Sequence, residues 1–170
     1  MKKNRILLVD DEPDILRVLA ISLKADAYEV TSAHNGEQAL QSYNEQLHDI
    51  VITDVRMPGL DGIDVLKAVK KINAETEVII ITGHGDIDAA IEALQNGASD
   101  FINKPVQDRA LSIALKRAED KLDISRRLKQ YTVDLEGQVE IATRELRRQS
   151  SFQARLIRSS NDGIVATDRD

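Results

Sequence analysis

From Ile6 to Ala118, short aliphatic runs alternate with stretches whose apolar residues recur every three or four positions. Ile6-Leu7-Leu8-Val9 is continuously apolar and reads as a buried strand. Pro13 and Asp14 then open a helix with Ile15, Leu16, Leu19 and Leu23 on one side. Proline suits that first turn, where a missing N–H breaks no hydrogen bond. Tyr28 to Ala33 forms a second strand and Gly36 to Asn44 a second helix. Ile50-Val51-Ile52-Thr53 is the third strand, followed by the turn signal Met57-Pro58-Gly59. Ile63, Leu66, Val69 and Ile72 mark the third helix, and Val78 to Thr82, rich in β-branched residues, a central strand. Ile87, Ile91 and Leu94 mark a fourth helix closed by Asn96-Gly97; Phe101-Ile102-Asn103 is the fifth strand, and Lys104-Pro105 leads to a fifth helix. Apolar strands between amphipathic helices imply a parallel sheet covered on both faces. Five such units make a doubly wound α/β domain.

The pattern changes after Leu111. Leu111, Leu115, Ala118 and Leu122 continue one helical stripe past the expected end of a fifth helix. Leu128, Leu135, Ala142 and Leu156 are spaced by multiples of seven, with Val139 and Leu146 interleaved, among many charged residues. That is the pattern of a coiled-coil seam, expected to pair with a second chain, although a single solvated helix also fits. The step from Leu122 to Leu128 is six, so the register shifts there. Gly137 sits inside the repeat and costs about 1 kcal/mol relative to alanine. Further on, Ser159 to Gly163 reads as a loop and Ile164-Val165-Ala166-Thr167 as the start of a strand. The domains expected are 1–120, a helical linker over 121–158, and the front of another domain over 159–170.

Composition narrows the picture. Of the 170 residues 42% are hydrophobic, 3% aromatic and none is Trp, so the core is aliphatic. A net charge of −6 argues against nucleic acid as the main partner, which needs a basic face. Cysteine is absent, which removes disulfides and thiolate metal sites. No apolar run has the length of a signal peptide or a membrane span, so the cytoplasm is the expected compartment.

In an open parallel sheet, ligands bind outside the carboxyl ends of the strands, where the strand order reverses. Those ends carry Asp10 and Asp11, then Asp54, then Thr82, then Lys104. Clustered carboxylates raise one another's proton affinity unless a cation shares the site. An all-oxygen set without thiolates favours a hard divalent ion, Mg²⁺ above others. A cation, a lysine and a hydroxyl together suit a phosphoryl group, and an aspartate can itself be the nucleophile. Each residue has a plainer use taken alone. Asp10 and Asp11 could cap a helix, Asp54 could be a turn residue, Thr82 could end a strand, Lys104 could be a surface lysine, and Phe101 could be core. His34, His48 and His84 are not spaced as metal ligands.

The segments Ile6 to Pro13, Asp49 to Gly62, Ile79 to Asp86 and Asp100 to Pro105 resemble two-component response-regulator receiver domains, over residues 4 to about 120. The resemblance implies a flavodoxin-like fold and makes Asp54 the phosphoacceptor, supplied by a histidine kinase or phosphotransfer protein. It implies Mg²⁺ on Asp11, Asp54 and the backbone carbonyl of Arg56, with Asp10 reaching the ion through water. It further implies that Lys104 pairs with the phosphoryl group, that Thr82 swings towards it while Phe101 turns inward, and that the Lys104–Pro105 bond is cis. Arg56 and His84, two residues beyond Asp54 and Thr82, are expected to tune the lifetime of the acyl phosphate. Residues 135–146 are similar to signalling-helix linkers, and residues 155–168 to the opening of a PAS domain. The parent implied is a receiver, linker and PAS protein, with a histidine kinase further on and no kinase machinery in these residues.

Other functions fit less well. A receiver fold used only as a dimerisation scaffold leaves Asp54, Thr82 and Lys104 unexplained. A phosphatase with an aspartyl nucleophile places it on the first strand with a second acid two residues later. Asp10 and Glu12 mimic that pair, but the remaining motifs are missing. No glycine-rich phosphate loop follows any strand, which disfavours nucleotide-binding enzymes. The receiver reading requires the acids to converge, with Asp54 still within reach of solvent.

Overall fold

A computed structural model describes residues 4–83 and 85–165. The chain alternates β1 (Arg5–Val9), α1 (Pro13–Ala25), β2 (Glu29–Ala33), α2 (Gly36–Glu45), β3 (Ile50–Asp54) and α3 (Gly62–Ile72). It continues through β4 (Glu77–Thr82), α4 (Ile87–Gln95), β5 (Asp100–Asn103) and α5 (Asp108–Val165). All five strands are parallel in the order β2-β1-β3-β4-β5. From β1 the chain winds outward to β2, then returns past β1 to β3. The crevice between the ends of β1 and β3 is therefore the switch point of the sheet.

The aliphatic runs are buried because successive strand residues feed opposite faces. Ile6, Leu8, Ile50, Ile52, Ile79 and Ile81 point into one core, packed by Leu16, Leu19 and Leu23 of α1 and by Leu111, Leu115 and Leu122 of α5. Leu7, Val9, Val51, Val78 and Ile80 point into the other, against Tyr43 of α2 and Leu66 and Val69 of α3. Local chemistry sets the helix starts. Asn35 caps α2 by accepting from Gln38 N at 2.8 Å. Asp61 and Asp64 form a reciprocal capping box at the start of α3.

The backbone divides into two units that meet between Ser125 and Arg126. In the first, Leu111, Ala114, Leu115, Ala118 and Leu122 of α5 are buried. In the second, Leu128, Leu135, Val139, Leu146 and Leu156 are exposed. The register shift after Leu122 thus marks where the stripe stops serving the core. Among the described residues no helix is long and apolar enough to cross a membrane.

One expectation is corrected. Residues 159–163 do not form a loop, and Ile164-Val165 do not begin a strand; α5 runs through them to Val165. A strand needs a ladder partner, whereas a helix satisfies its backbone within the segment. Ala166 and Thr167, the rest of that expected strand, lie outside the described residues.

Candidate functional site

The apolar β1 and β3 runs both end at acids, so the sheet delivers them to one crevice. Ligand oxygens of Asp10, Asp11 and Asp54 lie within 4.8 Å of one another. Asp10 is fully buried and Asp11 exposed, while Asp54 keeps 4% of its surface accessible. Asp54 is thus buried, with a small part of its surface left to solvent.

Asp10 is the most deeply buried member of the set. Its Oδ1 accepts from Glu12 N at 2.8 Å. Its Oδ2 is buried without a hydrogen-bond partner, 3.4 Å from the Lys104 ammonium. Burial raises its proton affinity above the usual carboxylate range and the Asp54 charge adds to the rise, against the Glu12 N–H and Lys104. Glu12 is the N-cap residue of α1 and no side chain caps that helix, so helix capping does not explain the aspartate pair.

Lys104 follows β5 and reaches back across the crevice. Its Nζ donates to Asp54 Oδ2 at 2.9 Å and to Glu12 Oε1 at 3.2 Å. Burial disfavours its charge, but the Asp54 bond and the neighbouring acids outweigh this and hold the ammonium above its usual range. The Lys104–Pro105 bond is cis. Thr82 is buried, and its hydroxyl donates to Asn103 Oδ1 at 2.9 Å. Phe101 is 39% exposed and lines an open groove with Ile87, Ile91 and Leu94 of α4.

The loop after Asp54 is tied down. Val55 N donates to Ile81 O and Gly62 N to Val55 O, both at 2.9 Å. A Cβ on Gly62 would lie 2.1 Å from the Asp54 carbonyl oxygen, so no side chain fits at that position. Gly59 takes φ +81°, a left-handed turn that glycine adopts without strain. Arg56 is exposed and its guanidinium pairs with Asp86, which joins this loop to the one after β4. His84 lies outside the described residues.

Three participants escaped the sequence reading: Asn103 as the acceptor for Thr82, Glu12 as a second acceptor for Lys104, and Asp86 as the partner of Arg56. Asn103 and Glu12 flank recognised site residues in the chain, which was the only signal available. Asp86 stands 30 residues from Arg56, and its role comes from packing alone.

The donor set suits a hard divalent ion. Three carboxylates converge on one point, and a buried oxygen of Asp10 lacks a hydrogen bond while its charge is disfavoured. Lys104 alone provides one positive charge against four acids.

The response regulator receiver domain family matches residues 6–116. The regulatory protein AtoC of Escherichia coli is 37% identical over 115 residues, covering 68% of this chain and 25% of its own length. The transcriptional regulatory protein YkoG of Bacillus subtilis is 36% identical over 118 residues, covering 69% and 52%. The chain thus spans between a quarter and about half of these curated relatives. A receiver domain protein from Clostridium thermocellum, solved by crystallography, is 39% identical with a TM-score of 0.68, covering 74% of this chain and 98% of its own. NtrX from Brucella abortus gives 34% identity and a TM-score of 0.72, covering 76% and 29%. With its fold, its switch-point acids and these matches in agreement, the chain belongs to the response regulator receiver domain family of two-component signalling.

Proposed function

We propose that this receiver accepts a phosphoryl group on Asp54 from a phosphohistidine of a histidine kinase or phosphotransfer protein. The observation that carries this is the convergence of Asp10, Asp11 and Asp54 at the switch point with Lys104 bonded to Asp54. An Asp54 oxygen forms the new P–O bond as the P–N bond breaks, and the electron pair returns to the imidazole. Asp10, Asp11, Asp54 and the backbone carbonyl of Arg56 would hold Mg²⁺, which when bound neutralises charge on the transferring phosphoryl oxygens. Lys104 moves from the free carboxylate to the phosphoryl group, so no buried charge is left unpaired. Thr82 leaves Asn103 to donate to a phosphoryl oxygen, and Phe101 follows inward from its exposed position.

On this reading the change at β5 and the α4 face passes to α5, whose exposed seam pairs two copies of the chain. The domain limits taken are 1–120 for the receiver and 121–158 for the linker, in a cytoplasmic protein. The PAS-like resemblance of residues 155–168 has no support from the backbone, because α5 covers most of it. A PAS or kinase domain further on rests on the resemblance alone.

Incubation with Mg²⁺ and acetyl phosphate tests the core claim by mass. The native chain is expected to gain one phosphoryl group and Asp54→Asn none. A native chain that stays unmodified, also with a phosphohistidine donor, would leave only the scaffold reading. Once phosphate is on, Arg56→Ala should change the rate of its loss several-fold, because the guanidinium ties the loop after Asp54 to the loop after β4; an unchanged rate removes Arg56 from that role.

A further inference from the structure

The exposed stripe on the second unit specifies how a second copy would bind. We propose that residues 128–156 pair with the same segment of another copy in parallel and in register, and that Gln149 and Gln153 form amide layers that fix the alignment. This rests on the homodimer reading above and adds its direction and register.

Leu128, Leu135, Ala142, Gln149 and Leu156 form one row, seven residues apart. Thr132, Val139, Leu146 and Gln153 form the second row, three residues before each of the later members of the first. Both rows are exposed throughout. Four heptads run from Leu128 to Leu156, and all nine charged residues between these ends fall off the two rows. The neighbouring seam, through Tyr131, Gln138, Glu145 and Phe152, would bury the Glu145 carboxylate in a layer, which desolvation opposes.

Direction follows from which layers meet. In a parallel, in-register pair every residue of the two rows faces its own copy. Leucine then meets leucine, and each glutamine meets an amide that can both donate and accept. The flanking positions agree, since each meets a residue five further along the other copy. Tyr131 would face Glu136, Glu145 would face Ser150, and Phe152 would face Ile157, so no like charges are opposed. An antiparallel pair centred on Val139 and Ala142 sets Leu128 against Gln153 and Ser125 against Leu156. Each such layer leaves a polar group against hydrocarbon. Polar layers inside an apolar seam select one register at some loss of stability.

The chain has no cysteine, so single substitutions give clean cross-linking probes in the full 170-residue protein. Val139→Cys and Leu146→Cys should oxidise to covalent dimers several-fold more than Arg144→Cys and Ser151→Cys on the outer face. Leu128→Cys should link to itself and not to Gln153→Cys when the two are mixed. A mixed Leu128–Gln153 product would overturn the parallel arrangement while leaving the dimer in place. Adding Gln149→Leu should raise off-register links between Leu135→Cys and Ala142→Cys; an unchanged ratio overturns the amide role. Sedimentation of the unmodified chain as a monomer would overturn this proposal and the homodimer reading together.

Discussion

The two units spend similar apolar residues in opposite ways. In the receiver unit, Leu7, Leu8, Ile52, Leu66 and Ile80 are fully buried between sheet and helices. In the tail, Leu128, Leu135, Val139 and Leu146 are each at least 60% exposed. Period makes the difference. Apolar runs with a strand period fill two cores in one chain, whereas apolar residues at heptad spacing line one narrow face of a helix, which the described residues leave uncovered. Apolar content alone does not make a core; the chain must also return to cover it.

Truncation should separate the units most sharply. Leu66→Ala should destabilise the receiver by about 2–5 kcal/mol, the range for a buried leucine. Leu135→Ala should leave that unfolding transition in place and weaken self-association instead. Denaturant titration read by circular dichroism, with sedimentation alongside, would break the comparison if the two variants behaved alike. A smaller contrast comes from two glycines. Gly62→Ala forces a methyl onto the Asp54 carbonyl and should cost about 1–3 kcal/mol, the usual range for overpacking, along with phosphate acceptance. Gly137→Ala meets nothing within 4 Å and should strengthen the helix by about 1 kcal/mol. If both glycines tolerated alanine equally, the close approach at Gly62 would be wrong.

The smallest effect concerns pH. His48 is buried with both ring nitrogens lacking hydrogen bonds, stacked on Tyr43 at 6.1 Å. Burial, with help from Arg5, lowers its proton affinity below the usual histidine value, against opposing pulls from Asp49 and Glu29. The unfolded chain therefore takes up this proton first as pH falls below about 6.5. Receiver stability from this group is complete above that value and drains away towards the folded pKa. His48→Leu should flatten the slope between pH 7 and 5, as measured by thermal melts. Residues 126–161 contain no histidine, so tail helicity should stay level over the same window. An unchanged slope in His48→Leu would remove the histidine from the account.

Much of this was legible beforehand, for identifiable reasons. Strand limits fell within one residue, as for Val78 to Thr82 against the observed Glu77–Thr82, because buried parallel strands are continuous apolar runs. Asp10, Asp11 and Asp54 stand together because each ends or follows a strand, and strand ends share an edge. Asn103 and Asp86 were not legible as partners, since side-chain pairing across 21 and 30 residues depends on loop geometry that carries no period. The loop expected at residues 159–163 failed for a different reason. Ser, Asn and Gly favour turns weakly, and a helix already under way extends at little further cost.

The bond from Thr82 to Asn103 bears on background signalling. On the proposed switch, the Thr82 hydroxyl must give up its bond to a neutral amide before it can reach a phosphoryl oxygen, so the unstimulated protein should leak little output. A phosphoryl oxygen on Asp54 would offer a charge-assisted bond, roughly twice as strong as a neutral one, and would draw the hydroxyl away. One amide on the fifth strand would in this way set the ratio of signal to noise.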